Sequence, residues 1–170
     1  MTDHSKYAEH FETQCFEVWK PYAEENLKSI KRVFGDFVVK CFLVPHDETV
    51  CYGFLIENNG EKLLYATDFE YLPFTFKKQK LDHMMIEVNY CDELVSEEAA
   101  NFNHKLRGHC SLKTAIGIVE ANKTENLKTV IAIHASRMDF DEQQVTEELQ
   151  KVAGDGVKVY VAKKGMEIEL

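Results

Sequence analysis

The chain has 170 residues, of which 45% are hydrophobic and 29% are charged, proportions typical of one globular domain with a buried core. Its net charge of −9 argues against broad binding to a nucleic-acid backbone, which needs a basic surface. The five cysteines form no C-x-x-C pair, the N-terminus lacks a signal-peptide pattern, and no apolar run is long enough for a membrane span. We therefore expect a cytoplasmic protein with free thiols.

The first 30 residues have the pattern of two helices around a short strand. Residues 4–14 carry apolar positions at helical spacing, and residues 16–19 favour a strand. Pro21 then opens a helix that is expected to run through Leu27 and Ile30, because proline is tolerated in the first turn.

Strand patterns dominate the next 40 residues. Runs of β-branched and aromatic residues at 37–44 and 51–56 predict two strands. The turn residues at 58–60, Asn-Asn-Gly, are followed by another apolar run at 63–66. This arrangement predicts a hairpin over residues 51–66.

Strands and helices alternate in the second half of the chain. One helix is expected over residues 97–104. A second is expected to begin after Ser111 as its N-cap, and a third after Asp141 as its N-cap, with Gly154 ending the third. Strands are expected at residues 83–88, 129–133, 157–161 and 166–170. Strands first and alternation later predict a single domain over residues 1–170, of the mixed α/β (layered α+β) class.

Polar residues that could bind a metal follow several of these strands. His46, Asp68, Glu87 and His134 each stand at or just beyond a strand end, where loops converge on a rigid sheet. Imidazole and carboxylate are ordinary ligands of zinc and manganese. Other interpretations stay open, since a lone histidine after a strand is commonly structural and Asp68 can be a turn residue.

Four segments carry a resemblance to one family, and they occur in that family's order. The segments are TDHS at 2–5, VPHD at 44–47, LYATD at 64–68 and IAIHASR at 131–137. Together they resemble the metallo-β-lactamase superfamily, over nearly the whole chain. The resemblance implies an αββα sandwich that is incomplete here and lacks its first strands. The metal ligands implied are Asp3, His4, His46, Asp68 and His134.

Two further segments are MIEVNY at 85–90 and RGHCS at 107–111. They resemble segments of the tRNase Z-like phosphodiesterases, whose relatives include phage-encoded enzymes that hydrolyse cyclic nucleotides. The resemblance implies that Glu87 and His109 deliver a proton to the leaving group, while Asp68 holds the metals. Outside these segments, His83 is expected to be structural, and a site role for His104 is disfavoured.

The chain departs from the family pattern at its start. The family motif H-x-H-x-D-H places two histidines before the position of Asp3, where this chain has only Met1 and Thr2. The family holds two divalent metals, zinc or manganese, and the departure implies at most one well-formed site. One metal would keep Asp3, His4, Asp68 and His134, and the other would keep only His46 and Asp68.

Two functions follow as hypotheses. The first is a metal-dependent hydrolase of small anionic phosphodiesters, which as a truncated chain could be inactive unless an upstream extension supplies the missing histidines. The second is a non-catalytic truncated remnant that acts as an oligomerising or binding module. A homo-oligomer is expected, because loss of the first strands would uncover apolar sheet surface. Fold alone does not identify a substrate, although the Glu87 and His109 motifs disfavour β-lactams.

Overall fold

The computed structural model describes residues 29–98 and 101–170, with side chains from residue 31 onward. The helix expected at 4–14, the strand at 16–19, the helix start at Pro21, and the predicted ligands Asp3 and His4 lie outside the described residues. Within the described part of the chain, no helix is long and apolar enough to cross a bilayer.

Within the described residues, seven strands form one mixed sheet whose spatial order follows the chain. The first four are antiparallel neighbours, and each of the last three is parallel to the strand before it. The strands are β1 (Ser29–Phe34), β2 (Phe37–His46), β3 (Thr49–Asn58), β4 (Glu61–Ala66), β5 (His83–Glu87), β6 (Thr129–Ile133) and β7 (Lys158–Val161). The predicted hairpin and the predicted mixed α/β class are both confirmed.

The helix predicted through Ile30 is wrong at its end, since Ile30 belongs to β1. Gly35, with φ of +56°, starts a two-residue turn that pairs Phe34 with Phe37. Such a turn between apolar runs favours a hairpin, and pairing with β2 overrides the local helical spacing.

Three α-helices follow β5 in the part of the chain that the structure describes. They are α1 (Phe102–Gly108), α2 (Leu112–Asn122) and α3 (Glu142–Ala153). The predicted caps are confirmed: Ser111 Oγ accepts from the Thr114 N–H at 3.2 Å, and Asp141 Oδ1 accepts from the Gln144 N–H at 3.0 Å. Gly154, with φ of +102°, ends α3 as expected.

Two further predicted elements differ from the structure: one helix starts later than expected, and one strand is not found. The helix expected at 97–104 begins only at Phe102, because Ser96 Oγ accepts the Glu98 N–H in a local turn. The strand expected at 166–170 is absent from the described residues. The chain turns instead at Gly165, with φ of +79°, where the Met166 N–H donates to the Lys163 carbonyl at 3.0 Å.

The main core lies between one face of the sheet and helices α2 and α3. These two helices pack on each other, α2 against β5 and α3 against β6 and β7. Central side chains such as Leu64, Met84 and Val130 are fully buried there against Ala115 and Leu149. This core makes the sheet a rigid base, so residues at its strand ends have fixed relative positions.

Candidate metal centre and active site

Strand direction brings the predicted site residues to one edge of the sheet. β2 and β4 run the same way because each is antiparallel to β3, and β5 and β6 are parallel to β4. The carboxyl ends of these strands therefore share one rim. His46 ends β2, Glu87 ends β5, His134 directly follows β6, and Asp68 lies two residues beyond β4.

Glu87 is the centre of the site. Its side chain is fully buried, and its Oε1 accepts from His109 Nδ1 at 2.7 Å and from His134 Nδ1 at 2.9 Å. Its Oε2 accepts from the Phe69 N–H at 3.2 Å. A carboxylate only accepts hydrogen bonds, so both histidines carry their proton on Nδ1 here. With that proton on Nδ1, the Nε2 atom of each imidazole is the one available to a metal or a second proton.

The charge of the site is set by these same bonds. Burial opposes ionisation of Glu87, but the hydrogen bonds from His109 and His134 outweigh it and lower the pKa of the carboxyl. The hydrogen bond to Glu87 raises the pKa of His134 despite partial burial, and the negative charge of Asp68 adds to this effect. The buried carboxylate is therefore a fixed negative charge behind two imidazoles.

His46 is oriented by the end of α1. Its Nδ1 donates to the Gly108 carbonyl, which again leaves Nε2 free. The neighbouring Asp47 N–H donates to the Arg107 carbonyl at 2.9 Å, and Asp47 Oδ2 accepts from His104 Nδ1 at 3.1 Å. The β2–β3 turn is thus joined to α1 by three hydrogen bonds.

Asp68 completes a set of side chains that fits a divalent metal. One ligand atom each from His46, Asp68 and His109 lie within 4.8 Å of one another, and so do those of Glu87, His109 and His134. His134 Nδ1 is 3.7 Å from Asp68 Oδ1. Asp68 and His134 both have left-handed backbones, with φ of +55° and +58°. Such backbone strain in non-glycine residues gathers at functional sites.

A segment just after β5, residues 88–91, holds the site's loops together. It bonds the residues around His134 on one side and those after His109 on the other. Its backbone hydrogen bonds are Val88 N to Ile133 O, Ser136 N to Asn89 O, Cys91 N to Asp139 O, Asn89 N to Cys110 O and Leu112 N to Tyr90 O, at 2.8–3.0 Å. The Asn89 side chain also donates to the His134 carbonyl at 2.9 Å.

The structure therefore gathers His46, Asp68, Glu87, His109 and His134 at one rim. His104, for which a site role was disfavoured, also lies there, with its ring centroid 5.4 Å from that of His109 and 5.8 Å from that of His46. His83, in contrast, is buried at the start of β5, at the opposite end of the strand from Glu87. The sequence feature that could have indicated a site role for His104 is its position about one helical turn before Gly108 and His109.

No protein-family model matches the sequence, and no curated protein matches it. Solved structures do resemble it. One is YhfI from Bacillus subtilis, a metallo-β-lactamase-fold protein, with a TM-score of 0.60 and 17% identity over 81% of this chain and 51% of that chain. The chain has the metallo-β-lactamase fold.

Two other solved structures also resemble the chain. A diphosphatase from the PhnP family has a TM-score of 0.56 and 18% identity, covering 82% of this chain and 46% of that chain. Zinc-bound PqqB from Methylobacterium extorquens has a TM-score of 0.53 and 14% identity, covering 81% of this chain and 52% of that chain. The chain thus spans about half the length of these structures, and the likeness concerns the fold.

Proposed function

We propose that this protein is a metal-dependent hydrolase of small anionic phosphodiesters, of the tRNase Z-like type. The observation that carries the proposal is the buried Glu87 carboxylate, which orients two imidazoles toward Asp68 and His46. Carboxylates that hold metal-binding histidines in this way are characteristic of catalytic metal sites. The likeness to a diphosphatase and to a zinc-bound protein supports the same class.

The metal in this proposal is zinc or manganese, both of which accept mixed imidazole and carboxylate ligands. Asp68 would be shared between two metal positions, with His46 at one and His134 at the other. Asp3 and His4 are proposed as further ligands of the second position. A bound metal would polarise a phosphoryl oxygen and activate water for attack at phosphorus.

His109 and Glu87 would deliver the proton. Glu87 accepts the Nδ1–H of His109, so the Nε2 of that imidazole can carry a proton to the departing alkoxide oxygen. The buried carboxylate would stabilise the imidazolium before transfer, and it would hold the ring in position afterwards. Positioned acids of this kind contribute roughly 10²–10⁴-fold to rate.

The substrate class follows from charge. The net charge of −9 disfavours a long nucleic-acid backbone, whereas a metal can attract a small anion into an acidic protein. Cyclic nucleotides and other small phosphodiesters fit this description.

The proposed compartment is the cytoplasm. Free thiols agree with a reducing compartment of this kind, and the free cysteines among the described residues are Cys41, Cys51, Cys91 and Cys110.

The experiment is an assay of the purified 170-residue protein with zinc or manganese. Bis-p-nitrophenyl phosphate and cyclic nucleotides are the substrates, with a chelator-treated sample and p-nitrophenyl acetate as controls. We expect phosphodiester hydrolysis that chelation abolishes and added metal restores. If the protein neither bound metal nor hydrolysed these substrates, even with the two upstream histidines of the family motif restored, the proposal would be contradicted.

A non-catalytic oligomerising module is the second candidate, and exposed apolar side chains in the β1–β2 hairpin favour it. Val33 and Phe37 are 63% and 47% exposed, and within the described residues β1 pairs with β2. Exposed apolar surface of this kind promotes association with another chain. A stable homodimer by light scattering, with metal bound but no turnover, would favour this candidate over the hydrolase.

Gly108 offers a test of how His46 is positioned. A Cβ at residue 108 would lie 3.0 Å from His46 Cε1 and 3.1 Å from Nδ1, so G108A should displace the imidazole. We expect zinc affinity to fall about tenfold or more, as is typical when an orienting contact is lost. The measurement is competition with a zinc indicator dye.

The matched control for G108A is G117A in α2, where an added Cβ meets nothing within 4 Å. Alanine favours helix over glycine at both positions, so thermal stability should not fall through helix propensity. If G108A bound zinc as tightly as the parent protein does, the proposed orientation of His46 would be contradicted.

A further inference from the structure

Lys105 has no place in the proposed chemistry, yet its side chain is only 7% exposed. It lies in α1, the helix whose end orients His46 and directly precedes His109. Lysine on a short polar helix normally points into water. Burying an ammonium group has a large desolvation cost, so the groups that pair with it indicate the structural role of the side chain.

Those partners lie in the loop that begins at His134. Lys105 Nζ forms an ion pair with Asp139 Oδ2, and it donates to Ser136 Oγ at 3.4 Å. The ammonium also lies 5.7 Å from the centroid of the Tyr90 ring, within the range of a cation–π contact. One side chain thus links α1 to two positions of the loop and to the segment after β5.

The backbone bonds of residues 88–91 do not hold α1 itself. They hold Cys110 and Leu112, which follow the helix, and Asp139, whose carbonyl accepts from the Cys91 N–H at 2.8 Å. Asp139 is therefore fixed to the sheet side of the site. An ion pair from Lys105 to Asp139 transmits that fixed position to the middle of α1.

We propose that Lys105 is a positioning residue for the reaction: its buried ion pair with Asp139 places α1, and with it the His109 imidazole and the Gly108 carbonyl. The His109 imidazole is the proposed proton donor, and the Gly108 carbonyl orients His46. The kinetic consequence rests on the proposed function, whereas the effect on the His109–Glu87 hydrogen bond does not. Lys105 acts through His109 and His46 and touches no reacting atom.

The experiment compares K105M, D139N and the K105M/D139N double variant with the parent. Methionine keeps most of the apolar stem and removes the charge, and the double variant leaves no unpaired charge in the buried site. K151M, at an exposed lysine of α3, is the matched control. Three quantities are measured: the melting temperature, the downfield Nδ1–H proton signals of His109 and His134 in metal-free protein, and kcat on bis-p-nitrophenyl phosphate.

We expect D139N to melt lowest, because it leaves the buried Lys105 without its carboxylate. The double variant should regain most of the melting temperature. It should nevertheless keep a weakened His109 signal, and its kcat should be about ten- to a hundredfold below that of the parent, with little change in KM. The His134 signal and all properties of K151M should resemble those of the parent.

A double variant with the parent's His109 signal would overturn the proposal, since the ion pair would then serve stability alone. If the parent hydrolyses the phosphodiester, the double variant must also have a lower kcat than the parent. A double variant with the parent's kcat would overturn the proposal as well. If the parent hydrolyses no phosphodiester, the proposed function fails separately. The proton signals of metal-free protein still decide whether Lys105 positions His109.

Discussion

Replacing Glu87 by glutamine is expected to lower kcat by about 10²–10⁴-fold and to destabilise the protein measurably. Three donors converge on the two carboxylate oxygens: His109 Nδ1–H, His134 Nδ1–H and the Phe69 N–H. Glutamine has one acceptor oxygen and brings an NH₂ group that can only donate. Whichever way the amide turns, at least one buried donor loses its acceptor, at a cost of about 1–3 kcal/mol.

The pH dependence of stability distinguishes loss of the Glu87 charge from a general packing defect. In metal-free protein the lowered pKa of Glu87 contributes stability above its ordinary value of 4.5, and this is lost as pH falls through the lowered pKa. The raised pKa of His134 contributes stability below its ordinary value of 6.5, and this is lost as pH rises through the raised pKa. The pair is therefore most stabilising between these two ordinary values.

Urea denaturation of parent and E87Q at about pH 5.5 and about pH 8.5 measures this difference. The free-energy gap between the two proteins should be larger at the lower pH, where His134 is charged in the parent. E120Q, the same change at an exposed position of α2, should show no such gap. An equal gap at both pH values, or full kcat in E87Q, would contradict the role given to Glu87.

Sequence patterns predicted the elements that rest on local chemistry. The caps at Ser111 and Asp141 need only a side-chain oxygen and a free N–H three residues later. The predicted strands at 129–133 and 51–56 lie in β6 and β3 because runs of β-branched residues fit a buried sheet. The site residues at strand ends could be predicted from the sequence, because the carboxyl ends of parallel strands lie at one rim of a sheet.

The missing details depend on contacts between segments distant in the chain. Nothing near Ile30 indicates that the next run will pair with it, so the helical spacing was misleading. Lys105 looks like a solvated helix residue until Asp139, 34 positions later, is placed beside it. Gly108 looks like an ordinary helix end until His46 approaches it from 62 positions away. Such contacts are set by tertiary packing and leave no local pattern.

Replacing Asp68 by asparagine is expected to remove catalysis while leaving the fold intact. The carboxylate is the one anionic ligand grouped with His46 and His109, and in the proposed site it is shared by both metal positions. An amide binds zinc and manganese far more weakly than a carboxylate. We therefore expect zinc affinity to collapse and kcat to fall by about 10²–10³-fold or more, the range for losing one electrostatic contact.

The fold should tolerate D68N for two reasons, and this makes the prediction sharp. Asn adopts a left-handed backbone as readily as Asp does, so the φ of +55° costs little, and the side chain is already 34% exposed. Stability should thus change by less than about 1 kcal/mol. D155N is the matched control, because Asp155 is an exposed aspartate in the turn between α3 and β7 and takes no part in the proposed site. Its zinc affinity and kcat should stay within about threefold of the parent, as expected for a surface position. If D68N bound zinc like D155N, Asp68 would be a turn residue and the proposed metal centre would lose its shared carboxylate ligand.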